Sequence, residues 1–407
     1  MGGGFRAASP RLIESMNELV ARRRMLTGLA VAYGTADRCC EAHTGNAREV
    51  EWVDGKMIPA ARPITERTLY DLASLTKLFT LIAVMQLAAR GALALRDAVG
   101  GIEPRFKGLT DTTVGQVLRY EAALQTPQRI DAQPNREAAL QQVFSMRVRP
   151  PEAQRLYSDM NALVLKYAVE RASGLPFYEY IESNILRPAG MAETFSLVPP
   201  ERLPDCVNYN YEHRILDGQY RVRFDVPPGA PHDPKAQLLR GGGRDLPGHA
   251  GLFCTVNDMV RLCQALLSGV LLPMGARMAL SAHPAGPTDH PYLGLLCFVK
   301  GPEQRFSEVP PWMGESAVAQ SGFTGNHVAI DFEKGVFDLF LGNRCHNRVS
   351  VIQPAGEVGR LGLTPEGDGF VRWPDGRKVP SSFLYVYQKD AKLHEPIRAH
   401  MAELGWL

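Results

Sequence analysis

The sequence DLASLTKLFTLIAVMQLAARG, residues 71–91, contains the longest nearly apolar segment on which our interpretation of the fold rests. From Leu75 to Ala89 it is almost wholly apolar, so we expect a helix buried on most sides. Yet it carries Lys77 in its first turn, three residues after Ser74. A buried charge is costly without a partner, so this lysine needs an explanation.

The spacing of Ser74 and Lys77 suits nucleophilic catalysis. Residues three apart on a helix share one face, and burial disfavours the charged form of lysine, so we expect a lowered pKa for Lys77. A neutral lysine can take the proton of a nearby hydroxyl, and helix N-terminal N–H groups suit a developing oxyanion. The alternative is a capping serine with a lysine that reaches the surface, because S-x-x-K should occur about once by chance in such a chain.

A second candidate is Tyr157, at the start of the helical pattern YSDMNALVLKYAVERASG, residues 157–174. Ser158 or Asp159 can cap this helix, and Gly174 can end it. A free tyrosine has a pKa of about 10, but a lysine ammonium nearby favours the phenolate, which can act as a general base. The alternative is a tyrosine that only packs.

Strand patterns lie near both ends of the chain, and helical patterns fill its middle. The strand patterns cover 28–34, 39–45 and 325–344. We therefore predict an α/β fold of the α+β type, in which an antiparallel sheet is flanked by N- and C-terminal helices and a mainly helical domain is inserted.

The predicted sheet domain comprises residues 1–74 and 296–407, with an extra hairpin at about 369–388. The predicted helical domain is 75–295, and it contains a Pro/Gly-rich long loop at 199–251. Long loops in compact proteins are often functional, and ligand sites favour junctions between domains.

Composition excludes several classes of function. The chain has 407 residues, 45% of them hydrophobic, and a net charge of +2 without a basic stripe, so we expect no nucleic-acid partner. No apolar run approaches the roughly 18 residues of a membrane span, and no signal core is present, so we expect a cytoplasmic protein. The seven cysteines and ten histidines show no metal-ligand spacing, so we expect neither metal nor cofactor.

Five pieces of the sequence follow one another in the order of a known family. They are YDLASLTKLFT (70–80), YSDMNALVLKYAVERASG (157–174), ILRPAGMAETF (185–195), GHAGLFCTVNDMVRL (248–262) and SGFTGNHVAIDFEKGVFDLFLGNRCHN (321–347). Together they resemble the serine β-lactamase and penicillin-binding-protein superfamily, in its class C β-lactamase-like branch. The resemblance covers about residues 25–350. That branch includes D,D-peptidases, D-aminopeptidases, carboxylesterases and transesterases.

The resemblance implies roles for the candidate catalytic residues. Ser74 would be the acylated nucleophile, and Lys77 its proton acceptor or electrostatic partner. Tyr157 would be the base that passes a proton to the leaving group and later activates water. The backbone N–H groups of Ser74 and Phe323 would form the oxyanion hole.

The substrate-recognition edge departs from the family. Gln320-Ser321-Gly322 aligns with a motif that begins with Lys or His, and Gln320 cannot pair by charge with a substrate carboxylate. Asp159 stands where the family has the Asn of Tyr-x-Asn, and it offers no amide donor. Residues 120–124 replace a frequent His-Thr-Ser-Gly-Leu. We expect Asp159, Gln320, Ser321 and Gly322 to bind substrate, with residues 120–124 supporting the site from outside it. We also expect weak or absent β-lactamase activity.

Further histidines lie near the motifs. His232 and Asp233 belong to a stretch that resembles an esterase and peptidase-like subgroup, where they can orient each other beside the site. The alternative is a pair that only stabilises the loop. His249 and His327 are interpreted as structural histidines.

The leading interpretation is a serine hydrolase that forms an acyl-enzyme on Ser74. Its substrate would be an ester, a small amide or a peptide, without a strict need for a carboxylate. The alternatives within catalysis are a D,D-carboxypeptidase, a D-aminopeptidase or a weak β-lactamase. An alternative from another class is a non-catalytic relative that binds a ligand. Retention of Ser74, Lys77 and Tyr157 favours catalysis, whereas the sequence leaves the oligomeric state open.

Overall fold

A computed structural model of the chain describes residues 6–149, 156–283, 290–302, 308–364 and 369–407. The predicted domain ranges also include residues 1–5, 150–155, 284–289, 303–307 and 365–368, which lie outside the described residues. The boundaries between the two domains stay a prediction.

Both ends of the chain contribute to one eight-stranded sheet. In spatial order its strands are Arg6–Ala7, Cys39–Val53, Gly28–Thr35, Val336–Gly342, Asn326–Asp331, Ala317–Gly322 and Phe298–Val299, and Lys56–Pro63 pairs with Cys39–Val53. The pairing of Arg6–Ala7 is parallel, and the other pairings are antiparallel. The predicted α/β fold with an antiparallel sheet is confirmed.

Helices occupy much of the chain between and beyond these strands. The longer α-helices are Pro10–Asn17, Thr76–Ala89, Arg136–Phe144, Asp159–Ser173, Val256–Leu267 and Glu395–Glu403. The shorter ones are Val99–Ile102, Val114–Leu118, Phe177–Ile181, Arg187–Ala189, Pro234–Arg240, Met274–Leu280 and Glu357–Arg360. Short strands outside the main sheet are Tyr70–Asp71, Leu124–Gln125, Arg147–Val148, Thr194–Phe195, Glu212–Leu216, Gln219–Arg223, Phe253–Cys254, Val349–Gln353, Phe370–Arg372 and Lys378–Pro380.

Helix Asp159–Ser173 begins and ends as its sequence suggests. Of the two candidate caps it uses Ser158, whose Oγ accepts a hydrogen bond from the Met160 N–H at 3.2 Å. Gly174 ends the helix with φ = +71°, a conformation that glycine adopts without strain. The side chain of Asp159 is thereby free to face the site.

The stretch 199–251 is not the plain loop that its composition suggests. It contains strand Glu212–Leu216, paired with Gln219–Arg223, and the helix Pro234–Arg240. Strand Glu212–Leu216 also pairs in parallel with Val349–Gln353, so its hydrogen-bond partner is distant in sequence. The hairpin predicted at 369–388 is likewise shorter, because a 3₁₀ helix follows its second strand at Tyr385–Gln388.

Helix Thr76–Ala89 is the centre of the core. Every residue from Thr76 to Leu87 is buried, and the helix packs against Asp159–Ser173. Burying each large apolar side chain contributes about 1.5–3 kcal/mol. The 3₁₀ turn Ala73–Leu75 before it lies against strand Ala317–Gly322, so Ser74 sits where helices meet the sheet. Within the described ranges, no helix has the length and apolar character to cross a membrane.

Candidate active site

Ser74 stands on a tight turn at the start of the buried helix. Ala73, just before it, has φ = +46°, a left-handed conformation that is uncommon for residues other than glycine. The Ala73 N–H donates to Asp71 Oδ1 at 2.9 Å, which holds the turn in place. The Ser74 side chain therefore enters a cavity from a constrained backbone.

Lys77 contacts Ser74 directly. Its Nζ lies 2.8 Å from Ser74 Oγ, 2.7 Å from Asp159 Oδ1 and 3.4 Å from the His249 carbonyl oxygen, and its side chain is fully buried. Burial lowers the pKa of Lys77, but the Asp159 carboxylate and Tyr157 raise it by more, so its pKa is raised overall. The expectation of a lowered pKa is wrong, because it considered burial without the Asp159 carboxylate. That carboxylate lies 82 residues further along the chain, so the residues around Lys77 do not indicate it.

Tyr157 lies beside the same ammonium. Its ring centroid is 4.9 Å from Lys77 Nζ, and its hydroxyl oxygen accepts from Gln320 Nε2 at 3.2 Å. The ring stacks on Phe298 with centroids 5.6 Å apart, and Tyr120 lies against it at 5.6 Å. Aromatic packing and the amide thus fix the orientation of the hydroxyl.

Strand Ala317–Gly322 forms the opposite wall. Gln320 is 1% exposed, and its amide donates to the Ser74 carbonyl oxygen at 3.2 Å as well as to Tyr157. Ser321 Oγ donates to Glu308 Oε2 at 2.5 Å and lies 3.1 Å from Nδ1 of His327. At Gly322 a Cβ would come within 2.6 Å of the Leu72 carbonyl oxygen, so only glycine lets the strand approach this closely.

These walls enclose a cavity of about 430 Å³. The sequence-predicted residues that line it are Ser74, Tyr157, Asp159, Ser321, Gly322 and Phe323. Lys77 and Gln320 contact these residues from behind. Another cavity, of about 520 Å³ beside Lys166 and Tyr167, has no serine among its lining residues. The smaller cavity is therefore the candidate active site, because Ser74 lines it.

The Beta-lactamase family model matches residues 40–355. The chain belongs to the beta-lactamase family. This membership makes it a serine hydrolase and confirms the resemblance drawn from the sequence motifs.

A relative from Salmonella gallinarum is 27% identical over 339 residues, which are 75% of this chain and 76% of the relative. One from Salmonella schwarzengrund is 28% identical over 340 residues, with the same coverage. Both carry the provisional name D-alanyl-D-alanine carboxypeptidase.

Solved structures of the same fold are more distant in sequence. A mutant simvastatin synthase from Aspergillus terreus has a TM-score of 0.66 at 15% identity, covering 96% of this chain and 97% of its own. EstCE1, described as a hydrolase with promiscuous acyltransferase activity, has a TM-score of 0.63 at 16% identity, covering 86% and 95%. A penicillin-binding-protein homologue from Caulobacter crescentus scores 0.61 at 17% identity, covering 85% and 95%. These likenesses show the fold.

One residue of this beta-lactamase family member that the sequence reasoning missed is Lys235. Its Nζ lies 3.1 Å from Asp159 Oδ2 and 2.9 Å from Asp233 Oδ2, and Asp233 Oδ1 in turn lies 3.0 Å from His249 Nε2. Asp233 is the N-cap of helix Pro234–Arg240, which puts Lys235 in the first turn. The helix dipole disfavours a cation in the first turn. A lysine at this position, directly after a capping Asp-Pro, is the feature of the sequence that could have identified Lys235 as a candidate.

His232 and Asp233 have different partners. His232 Nε2 lies 3.0 Å from Glu212 Oε2, and its ring stacks on Phe323 with centroids 5.2 Å apart. Asp233 turns the other way, toward Lys235 and His249. His232 therefore supports the Phe323 side of the cavity, and Asp233 supports the Lys77 side.

Among the residues that the structure describes, three groups of His, Cys and acidic side chains bring possible metal-ligand atoms within 4.8 Å of one another. They are Glu212, His232 and Cys345; His327, Asp338 and His394; and Asp159, Asp233 and His249. In each group, side chains of this hydrolase already contact an acidic member. Arg214 and His232 contact Glu212, His394 Nδ1 lies 2.7 Å from Asp338 Oδ2, and the third group contains the lysine contacts described above.

Proposed function

We propose that the chain hydrolyses esters or small amides and peptides through an acyl-enzyme formed on Ser74. The observation that carries this proposal is the contact of 2.8 Å between Lys77 Nζ and Ser74 Oγ, in a cavity that Tyr157 also lines. A non-catalytic ligand-binding relative would not need this arrangement of nucleophile, ammonium and phenol.

The raised pKa of Lys77 supports its role as electrostatic partner, because an ammonium cannot accept the proton of Ser74. In this mechanism the ammonium holds Ser74 Oγ and stabilises the phenolate of Tyr157, which takes the proton. Ser74 Oγ then bonds to the substrate carbonyl carbon, and the carbonyl electron pair moves to its oxygen. The N–H groups proposed for that oxyanion are those of Ser74 and Phe323.

Collapse of the tetrahedral intermediate breaks the bond to the leaving group. The carbonyl forms again, and Tyr157 returns the proton to the departing alcohol or amine. In the second half a water molecule attacks the acyl carbon and gives its proton to Tyr157. Ser74 Oγ leaves as the acid forms and receives that proton, which restores the starting state.

A D,D-carboxypeptidase is the second candidate. The Salmonella relatives carry this provisional name. The cavity is also lined by two arginines, of which Arg214 is paired with Glu212. Arg344 has its guanidinium 5.0 Å from the Phe323 ring centroid, and no described carboxylate lies within 4.0 Å of it. A cation in this position can meet a substrate carboxylate that Gln320 cannot.

We propose a small ester, amide or peptide as the partner of this site. The exclusion of nucleic acid rests on the balanced charge, with a net value of +2. The cytoplasmic location stays a prediction from the sequence.

Covalent labelling tests the proposed function. The native chain should gain the mass of one fluorophosphonate adduct, and Ser74→Ala should gain none. Ser281→Ala, which removes a serine hydroxyl that donates to Met278 outside the cavity, is the matched control and should label normally. Labelling by fluorophosphonate alone supports the esterase, and additional labelling by a fluorescent penicillin supports the carboxypeptidase. A native chain that neither probe labels would contradict the acyl-enzyme.

A further inference from the structure

Five residues form a closed ring of contacts at one wall of the cavity, where Asp159 and Asp233 line it. From Lys77 the ring runs to Asp159 at 2.7 Å, to Lys235 at 3.1 Å, to Asp233 at 2.9 Å and to His249 at 3.0 Å. The carbonyl oxygen of His249 closes it on Lys77 Nζ at 3.4 Å. Asp159 is thus shared between two ammonium groups, one on each carboxylate oxygen.

The ring is largely buried, and three of its five residues come from one segment of the chain. The side chains of Lys77 and His249 are at most 1% exposed, and those of Asp159, Lys235 and Asp233 are 19–24% exposed. Lys235, Asp233 and His249 all belong to the stretch 199–251, whose purpose the sequence leaves open. Because solvent screens partly buried charges only weakly, the charged groups of the ring interact strongly with one another.

Lys235 is kept in this position against local preference. It lies in the first turn of helix Pro234–Arg240, where the dipole disfavours a cation. Asp233 holds it by one carboxylate oxygen while the other carboxylate oxygen caps the helix, accepting from the Ala236 N–H at 2.9 Å. The same cap therefore fixes both the helix and the lysine that faces Asp159.

We propose that Lys235 is a positioning residue for the chemistry of Ser74. It takes one oxygen of Asp159, leaves the other to Lys77, and so sets the pH range in which Ser74 reacts. This inference rests on the proposed function, and it assigns to the 199–251 stretch the task of holding charge next to Lys77.

The charges of Lys235 and Asp233 act with the same sign on Lys77 and on Tyr157. The groups that face Lys77 are Ser74, Tyr157, Asp159 and the His249 carbonyl, with Lys235 and Asp233 one contact further. Removal of the Lys235 cation favours the protonated form of Lys77 or Tyr157, so the acidic limb of the rate profile should move to higher pH. Removal of the Asp233 anion should move it to lower pH.

The experiment follows the rate of fluorophosphonate reaction at Ser74 against pH. Lys235→Met should raise the midpoint of the acidic limb by about one pH unit, and Asp233→Asn should lower it by a similar amount, as expected for charges a few ångströms apart. Lys235→Arg keeps the cation and should retain the native midpoint. Lys166→Met is the matched control, because Lys166 is 5% exposed and contacts two carboxylates, those of Glu170 and Asp245, outside the ring.

A merely structural role gives a different result. Loss of folded protein would lower the rate at every pH and leave the midpoint in place, and that outcome would overturn the proposal. Midpoints that Lys235→Met and Asp233→Asn shift in the same direction would overturn it too.

A second readout separates this inference from the proposed function. If the native chain does not react at Ser74, the proposed function fails, but NMR titration of lysines labelled with ¹³C at Cε still reports the protonation of Lys77. A lower midpoint for Lys77 in Asp233→Asn than in the native chain and in Lys235→Met supports the ring assignment. Equal midpoints in the native chain and Asp233→Asn would overturn it.

Discussion

The side-chain amide of Gln320 donates a hydrogen bond to the hydroxyl oxygen of Tyr157 at 3.2 Å, and it donates to the carbonyl oxygen of Ser74 at the same distance. Gln320, which aligns with a Lys or His of the family motif, is thus buried against Ser74 and Tyr157, the proposed nucleophile and base. Its neighbour Ser321 faces the cavity instead. Gln320 therefore joins strand Ala317–Gly322 to Ser74 and Tyr157.

Gln320→Leu tests this connection. The side chain keeps its approximate size but can no longer hold the Tyr157 hydroxyl, and a net hydrogen bond of about 0.5–1.5 kcal/mol is lost. We expect kcat/KM for p-nitrophenyl butyrate to fall by about two- to tenfold. An unchanged kcat/KM would show that packing against Phe298 alone orients the tyrosine.

Gln320→His tests whether the amide limits recognition of carboxylates. Histidine keeps a donor near Tyr157 and adds positive charge when it is protonated. We expect faster labelling by a fluorescent penicillin than in the native chain, measured beside an uncharged ester substrate whose rate serves as the control. Equal penicillin rates in the two chains would remove Gln320 as the explanation.

Tyr157→Phe should lower kcat/KM by about 100-fold or more, because proton transfer by a positioned group typically contributes that much. The ring and its stacking on Phe298 remain, so the free energy of unfolding should change little. Tyr120→Phe is the matched control. Its buried hydroxyl has no hydrogen-bond partner among the described residues, so its removal should leave kcat/KM unchanged. Equal losses in both variants would contradict a specific role for Tyr157.

The sequence predicted the parts of this molecule that rest on local patterns. The apolar run after Ser74 indicated the buried helix, alternating residues indicated the strands at 326–342, and Ser158 was one of two candidate caps. Order along the chain was enough to bring Ser74, Lys77 and Tyr157 together as candidates. The structure places Lys77 in contact with both Ser74 and Tyr157, and those two residues line one cavity.

The parts that the sequence did not predict depend on partners distant in the chain. The raised pKa of Lys77 depends on a carboxylate from another helix, and the role of Lys235 depends on that same carboxylate. Strand Glu212–Leu216 was missed although Asp217-Gly218 joins it to its hairpin partner Gln219–Arg223, and only its second neighbour, Val349–Gln353, is distant in the chain. The partners in such contacts follow from the tertiary fold, and a local pattern of residue types does not identify them.

His232 should make stability depend on pH. Burial lowers its pKa, but Cys345 and the Glu212 carboxylate raise it by more, to about 10 from an ordinary value of 6.5. Because the folded pKa lies above the unfolded one, the stabilisation is complete below pH 6.5 and is lost as the pH rises toward about 10. Urea unfolding should show the free energy of unfolding falling more steeply over this range in the native chain than in His232→Gln. Parallel curves for the two chains would show that the His232–Glu212 contact carries no such linkage.

Ala73→Gly should stabilise the chain although it adds no contact. Ala73 has φ = +46°, where a Cβ is crowded by the backbone, and glycine removes that crowding at the cost of a more flexible unfolded chain. The strain exceeds this entropic cost at such positions, so we expect the free energy of unfolding to rise by about 0.5–1 kcal/mol. Ala83→Gly, in the middle of helix Thr76–Ala89 and fully buried, is the control and should destabilise the chain. If Ala73→Gly also destabilises the chain, the turn before Ser74 is held by its contacts without strain, and the bond from the Ala73 N–H to Asp71 becomes the main constraint on the nucleophile.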